Sequence, residues 1–100
     1  MSSYTVLLVD DDTGILNFLK IKLKTCGYDV ITALSGSEAL EKIHLRAPDM
    51  IVLDLIMPGM SGLSMLKELR TFSKVPVIIL SAKGADTDKI VSLISGLDNA

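Results

Sequence analysis

Tryptophan is absent and only two tyrosines and two phenylalanines are present, so a core must be built almost wholly from aliphatic side chains. A single cysteine, Cys26, rules out an intrachain disulfide and fits a reducing, cytoplasmic compartment, with the thiol expected as small core filler at a helix end. A formal net charge of −2 leaves no basic footprint for nucleic acid or for an anionic membrane surface. Lys20, Lys22 and Lys24 fall on alternate residues and read as a solvated surface rather than a binding patch. No apolar run approaches the roughly 18 residues of a membrane span, and no basic segment leads into a cleavable apolar stretch. The chain is therefore expected to be neither embedded nor exported. Its 100 residues, 49% of them hydrophobic, suit one domain near the lower size limit for a mixed sheet-and-helix core.

Short β-branched runs alternate with longer amphipathic ones. The first strand is expected at about Thr5 to Val9, followed by a helix from about Gly14 to Cys26 with Ile15, Leu16, Leu19, Leu23 and Cys26 on one face. Gly27 stops it. A second strand, about Asp29 to Ala33, leads to Ser35-Gly36-Ser37-Glu38, a capping box opening a helix with Ala39, Leu40 and Ile43 inward. Pro48 lies just beyond that helix. The third strand is Met50 to Leu53, and after a loop holding Pro58, Gly59 and Gly62 a helix runs to about Phe72. Pro76 opens the fourth strand, which ends at Leu80, and a last helix is expected at about Asp86 to Ser95, with Ile90, Leu93, Ile94 and Leu97 on its apolar face. This order predicts right-handed crossovers and a parallel sheet with helices on both faces.

Two of the apolar runs end in acid. Thr5 to Val9 runs into Asp10-Asp11-Asp12, and Met50 to Leu53 runs into Asp54. If those strands are neighbours, their carboxylates share the crevice at the strand C-termini where open α/β sheets bind ligands. Clustered acids repel one another and lose hydration, so a cation is the natural occupant, and hard oxygen ligands suit Mg²⁺. Asp12 is expected as a surface or helix N-terminal residue rather than a ligand.

Val9-Asp10-Asp11, then Leu53-Asp54-Leu55-Ile56-Met57-Pro58-Gly59-Met60-Ser61-Gly62, then Val77-Ile78-Ile79-Leu80-Ser81-Ala82 resemble the receiver domain of two-component response regulators across essentially the whole chain. The resemblance implies a flavodoxin-like doubly wound sheet, of order 2-1-3-4 here against 2-1-3-4-5 in the family. It implies that Asp54 takes a phosphoryl group from a histidine kinase or phosphotransfer protein. Mg²⁺ would be held by Asp10, Asp11, Asp54 and the Ile56 carbonyl, Asp10 acting through a bound water. Ser81 would hydrogen-bond the phosphoryl group and shift inward as the switch, while small Ala82 leaves its approach open.

Receivers continue into a fifth strand ending in lysine, and then a fifth helix. Leu97-Asp98-Asn99-Ala100 stands about where that strand would begin, so the lysine has no counterpart here and the natural polypeptide is expected to continue. An uncovered fourth strand would be an apolar edge open to homodimerisation or strand swapping. The alternative reading is a truncated or pseudo-receiver acting only as a protein-interaction module. At most the chain catalyses its own phosphorylation and hydrolysis, and apolar Ile56 is expected to hinder the attacking water. An aspartyl phosphatase with an Asp-x-Asp pair is disfavoured, because the second acid falls at Ile56. Lys83 reads as a loop residue, and His44, the sole histidine, as a charge partner at a helix C-terminus. Met57 and Met60 read as loop packing.

Overall fold

The computed structural model describes residues 4–55, 61–82 and 89–94, with 81, 82 and 89–94 described through the backbone. Its elements are β1 (Thr5–Val9), α1 (Thr13–Thr25), β2 (Asp29–Ala33), α2 (Gly36–Leu45), β3 (Met50–Asp54), α3 (Gly62–Leu69), β4 (Val77–Ala82) and β5 (Lys89–Ile94). One sheet runs in the order β2-β1-β3-β4-β5. The first four strands of that order are mutually parallel, giving the flavodoxin-like 2-1-3-4 arrangement that the family resemblance implies.

The period-two alternation of side chains sorts each strand between two cores. Leu7, Val9, Ile51, Leu53, Val77 and Ile79 face Ala39, Leu40 and Ile43 of α2 and Met65, Leu66 and Leu69 of α3. Val6, Leu8, Val52 and Leu80 face the other way and pack with Leu16, Leu19 and Leu23 of α1. β1 is buried along its whole length, as a central strand covered on both faces must be. Fully burying each such aliphatic side chain contributes about 1.5–3 kcal/mol, so the residues that carry this core are aliphatic, as the shortage of aromatics requires.

α1 ends as expected. Gly27 has φ +97°, a left-handed conformation that favours glycine. The Gly27 N–H donates to the Lys24 carbonyl at 2.9 Å and the Tyr28 N–H to the Leu23 carbonyl at 3.1 Å, which closes the helix with a Schellman motif. Cys26 does not fill the core. It is exposed, because α1 ends at Thr25 and Cys26 is its C-cap rather than part of the packed helix face. α3 is also shorter than expected, ending at Leu69 with Arg70 as its cap, and Phe72 lies outside it.

The largest correction concerns the last element. Residues 89–94 form a strand, not part of a helix, and β5 pairs antiparallel with β4 from Ala82↔Lys89 to Val77↔Ile94. Lys89-Ile90-Val91-Ser92-Leu93-Ile94 is a short apolar run, and periodicity alone does not separate strand from helix over that length. Pairing satisfies the backbone groups along the outer edge of β4, so the open edge expected there is covered. Asp86, Asp88 and Leu97, placed in or beside that expected helix, lie outside the described residues.

At the rim opposite the acids, the Thr5 N–H donates to Asp49 Oδ2 at 2.7 Å and Arg46 Nη2 donates to Thr5 Oγ1 at 2.9 Å. Arg46 also pairs with Asp29 at 3.3 Å. These contacts tie the starts of β1, β2 and β3 together and fix their relative register.

Candidate functional site

β1 and β3 are adjacent and parallel, with Val9 opposite Leu53. One register step further on stand Asp10 and Asp54, so the topology alone sets these two acids side by side at the C-terminal ends of central strands. Both are buried, Asp10 at 1% and Asp54 at 5% exposure, whereas Asp11 is exposed. One carboxylate oxygen from each of Asp10, Asp11 and Asp54 lies within 4.8 Å of the others. Two acids form the floor and one the solvent side, a set of hard oxygen donors of the kind that could hold a small divalent cation.

The loop after β1 is held by its own hydrogen bonds. The Asp10 N–H donates to the Ala33 carbonyl at 3.1 Å, continuing the β1–β2 ladder one residue past the strand. Asp12 is the N-cap of α1, as expected: its Oδ1 accepts from the N–H groups of Gly14 at 2.9 Å and Ile15 at 3.2 Å. Its own N–H donates to Asp10 Oδ1 at 3.0 Å. The helix cap and the orientation of a candidate metal ligand are thus one piece of structure.

On the β3 side, the Gly62 N–H donates to the Leu55 carbonyl at 3.0 Å, and Ser61 caps α3 by accepting from the Ser64 N–H at 3.1 Å. The start of α3 therefore sits directly against the exit of β3. Gly62, read from the sequence only as a loop glycine, is buried in this contact. Ile56, together with Met57, Pro58, Gly59 and Met60, lies outside the described residues, as does Lys83. Ser81 and Ala82 are the last residues of β4, immediately after Leu80, which pairs with Asp54. Their backbone thus stands at the same rim as the acids.

Beside the site, Glu38 clamps the end of β2. Its Oε1 accepts from the Leu34 N–H at 2.9 Å and its Oε2 pairs with Lys42 at 2.9 Å, while Lys42 donates to the Thr32 carbonyl at 2.5 Å. The Lys42 hydrogen bond, and then the Leu34 N–H, hold Glu38 below its ordinary pKa of 4.5. His44 stands in the last turn of α2, away from the acids, with its ring stacked on Phe72 at 4.7 Å between centroids. Among the described residues no helix is long and apolar enough to cross a membrane.

Residues 6–100 match the response regulator receiver domain. The chain is 42% identical over 94 residues to the probable transcriptional regulator ycf27 of Guillardia theta, covering 94% of this chain and 37% of that protein. It is 41% identical over 95 residues to the alkaline phosphatase synthesis transcriptional regulatory protein PhoP of Bacillus subtilis, covering 94% and 40%. The chain thus spans about two fifths of the length of these relatives. Among solved structures it superposes on the Vibrio cholerae chemotaxis protein CheY4 with a TM-score of 0.79 at 32% identity, over 84% of this chain and 72% of that one. The receiver domain of the Francisella response regulator 1452 matches with a TM-score of 0.76 at 43% identity, over 83% and 69%. A parallel 2-1-3-4 sheet with its acids gathered at one rim, and a family match running from β1 to the last residue, lead to one assignment: the chain belongs to the response regulator receiver domain family.

Proposed function

We propose that the chain is a phosphoacceptor, receiving a phosphoryl group on Asp54 from a histidine kinase or phosphotransfer protein in the cytoplasm. The observation that carries this reading is the juxtaposition of the Asp10, Asp11 and Asp54 carboxylates within 4.8 Å, two of them buried. A carboxylate oxygen of Asp54 attacks the phosphorus of a phosphohistidine, the phosphorus–nitrogen bond of the donor breaks, and the departing imidazole keeps the electron pair and takes a proton. The product is an acyl phosphate on Asp54.

Asp10, Asp11 and Asp54, with the Ile56 carbonyl that the family resemblance adds, are the residues that would hold Mg²⁺. When bound, the cation neutralises charge on the transferring phosphoryl oxygens. Asp10 stays oriented by the Asp12 N–H, and Asp54 is fixed as the last residue of a strand paired on both sides. Ser81 is the residue that would hydrogen-bond the attached phosphoryl group, with Ala82 leaving its approach open; support comes from their position at the end of β4 beside Asp54. Apolar Ile56 is expected to hinder hydrolysis, so Ile56→Asn should shorten the phosphorylated lifetime.

Incubation with Mg²⁺ and acetyl phosphate, followed by intact-protein mass measurement, tests the reading. The expected result is a gain of one phosphoryl group that is lost with EDTA and in Asp54→Asn. A chain that gains no mass under these conditions is a non-catalytic interaction module instead.

A further inference from the structure

Gly62 opens α3 with no positive φ, so its backbone is one that alanine adopts readily, and helix propensity alone would favour alanine there. Space forbids it. A Cβ at position 62 would lie 2.5 Å from Leu55 Cα, closer still to the Asp54 carbonyl oxygen, and 3.1 Å from the Asp54 carbonyl carbon. All three neighbours are backbone atoms of the segment leaving β3, so no side chain can swing aside to make room. The Gly62 N–H also donates to the Leu55 carbonyl at 3.0 Å, which locks the two segments at this separation.

We infer that Gly62 is a positioning residue of the acidic site: the bare glycine lets the α3 N-terminus press on the Asp54–Leu55 peptide, and this contact sets where Asp54 presents its carboxylate. The inference rests on the phosphoacceptor reading above. A side chain at 62 must push the Asp54–Leu55 backbone away, and Mg²⁺ tolerates little departure from octahedral geometry. Residues that orient metal ligands from behind typically change affinity by about 10–100-fold when altered.

The test is calorimetric titration of Mg²⁺ into the parent chain, Gly62→Ala, and Leu40→Ala, a core truncation in α2 that lowers stability without removing a carboxylate of the cluster. Melting temperatures are recorded for all three. Gly62→Ala should weaken Mg²⁺ binding about tenfold or more, well beyond any loss in Leu40→Ala. Binding equal to the parent, or weakened only as much as in Leu40→Ala, overturns the inference while leaving the phosphoacceptor reading intact. A parent chain that takes up no Mg²⁺ overturns both. Should Gly62→Ala fail to fold, the parent decides the matter: saturating Mg²⁺ must shift the Gly62 amide resonance through its bond to Leu55, and an unmoved Gly62 signal sinks the inference.

Discussion

The Asp12 N–H donates to Asp10 Oδ1 at 3.0 Å while the Asp12 carboxylate caps α1, so one residue both starts a helix and orients a buried acid. The two roles use different atoms of Asp12, the backbone N–H and the side-chain carboxylate. They remain coupled through the loop conformation, because the cap holds the backbone that offers the N–H.

Asp12→Ala should therefore lower stability by about 1 kcal/mol through loss of the cap, and should also weaken Mg²⁺ binding, although Asp12 itself is not among the clustered carboxylates. Asp12→Asn retains a capping oxygen and should preserve most of both. Urea denaturation and Mg²⁺ titration of the two variants check this. Equal metal affinity in Asp12→Ala and the parent would show that the Asp10 carboxylate holds its place without the cap.

Glu38 is held below its ordinary value of 4.5 by Lys42 and the Leu34 N–H, so the folded chain keeps this carboxylate charged to lower pH than the unfolded chain does. Its contribution is complete above 4.5 and is lost as pH falls through the depressed folded value. Both side chains are 36% exposed, so solvent screens the pair and the effect is small. Glu38→Gln should be less stable than the parent near neutrality, and the gap should close as pH is lowered below the ordinary carboxylate range. Denaturation midpoints of the two chains across that range provide the measurement, and a gap that widens on acidification would contradict the direction of the shift.

Leu69 is fully buried beneath the sheet, whereas Leu45, at the end of α2, is 84% exposed. Leu69→Ala should cost about 2–5 kcal/mol through lost burial and the cavity left behind. Leu45→Ala should stay within about 0.5 kcal/mol of the parent. Cys26→Ser belongs with Leu45, since the thiol is exposed. A loss from Cys26→Ser as large as that from Leu69→Ala would restore the core role that helical spacing suggests.

The acid-tipped strands were readable in advance because local pattern and global topology agree there. Thr5 to Val9 and Met50 to Leu53 are too short and too β-branched for helices, and burial on both faces leaves only the centre of a parallel sheet. Cys26 misled because helical spacing reports a face but not where the helix stops, and α1 ends at Thr25 with Cys26 as its exposed cap. Residues 89–94 misled for a different reason. Ile90, Val91, Leu93 and Ile94 satisfy a helix face and a strand equally, and the choice is made by the free edge of β4, which no local window contains. The Gly62 contact with Asp54 was hidden similarly, because a missing Cβ leaves a trace in sequence only as one more glycine in a turn.

Metal linkage offers the sharpest check on the three acids. A ligand that binds only the folded state stabilises it by RT ln(1 + [L]/Kd), about 2.7 kcal/mol at one hundred times Kd. The parent chain should gain this much when Mg²⁺ is raised to that excess, because the clustered carboxylates exist only once β1 and β3 pair. Asp54→Asn removes one of the two buried carboxylates of the cluster, and Asp11→Asn the exposed one, so each variant should gain clearly less at the same Mg²⁺ concentration. Asp49→Asn, at the opposite rim, should respond as the parent does, since its carboxylate serves the Thr5 N–H rather than the cluster. Thermal denaturation with and without Mg²⁺ at constant ionic strength distinguishes these cases, since equal ionic strength holds general screening fixed. If Asp49→Asn lost the Mg²⁺ response as fully as Asp54→Asn, the cation would be acting on overall charge rather than at the strand ends.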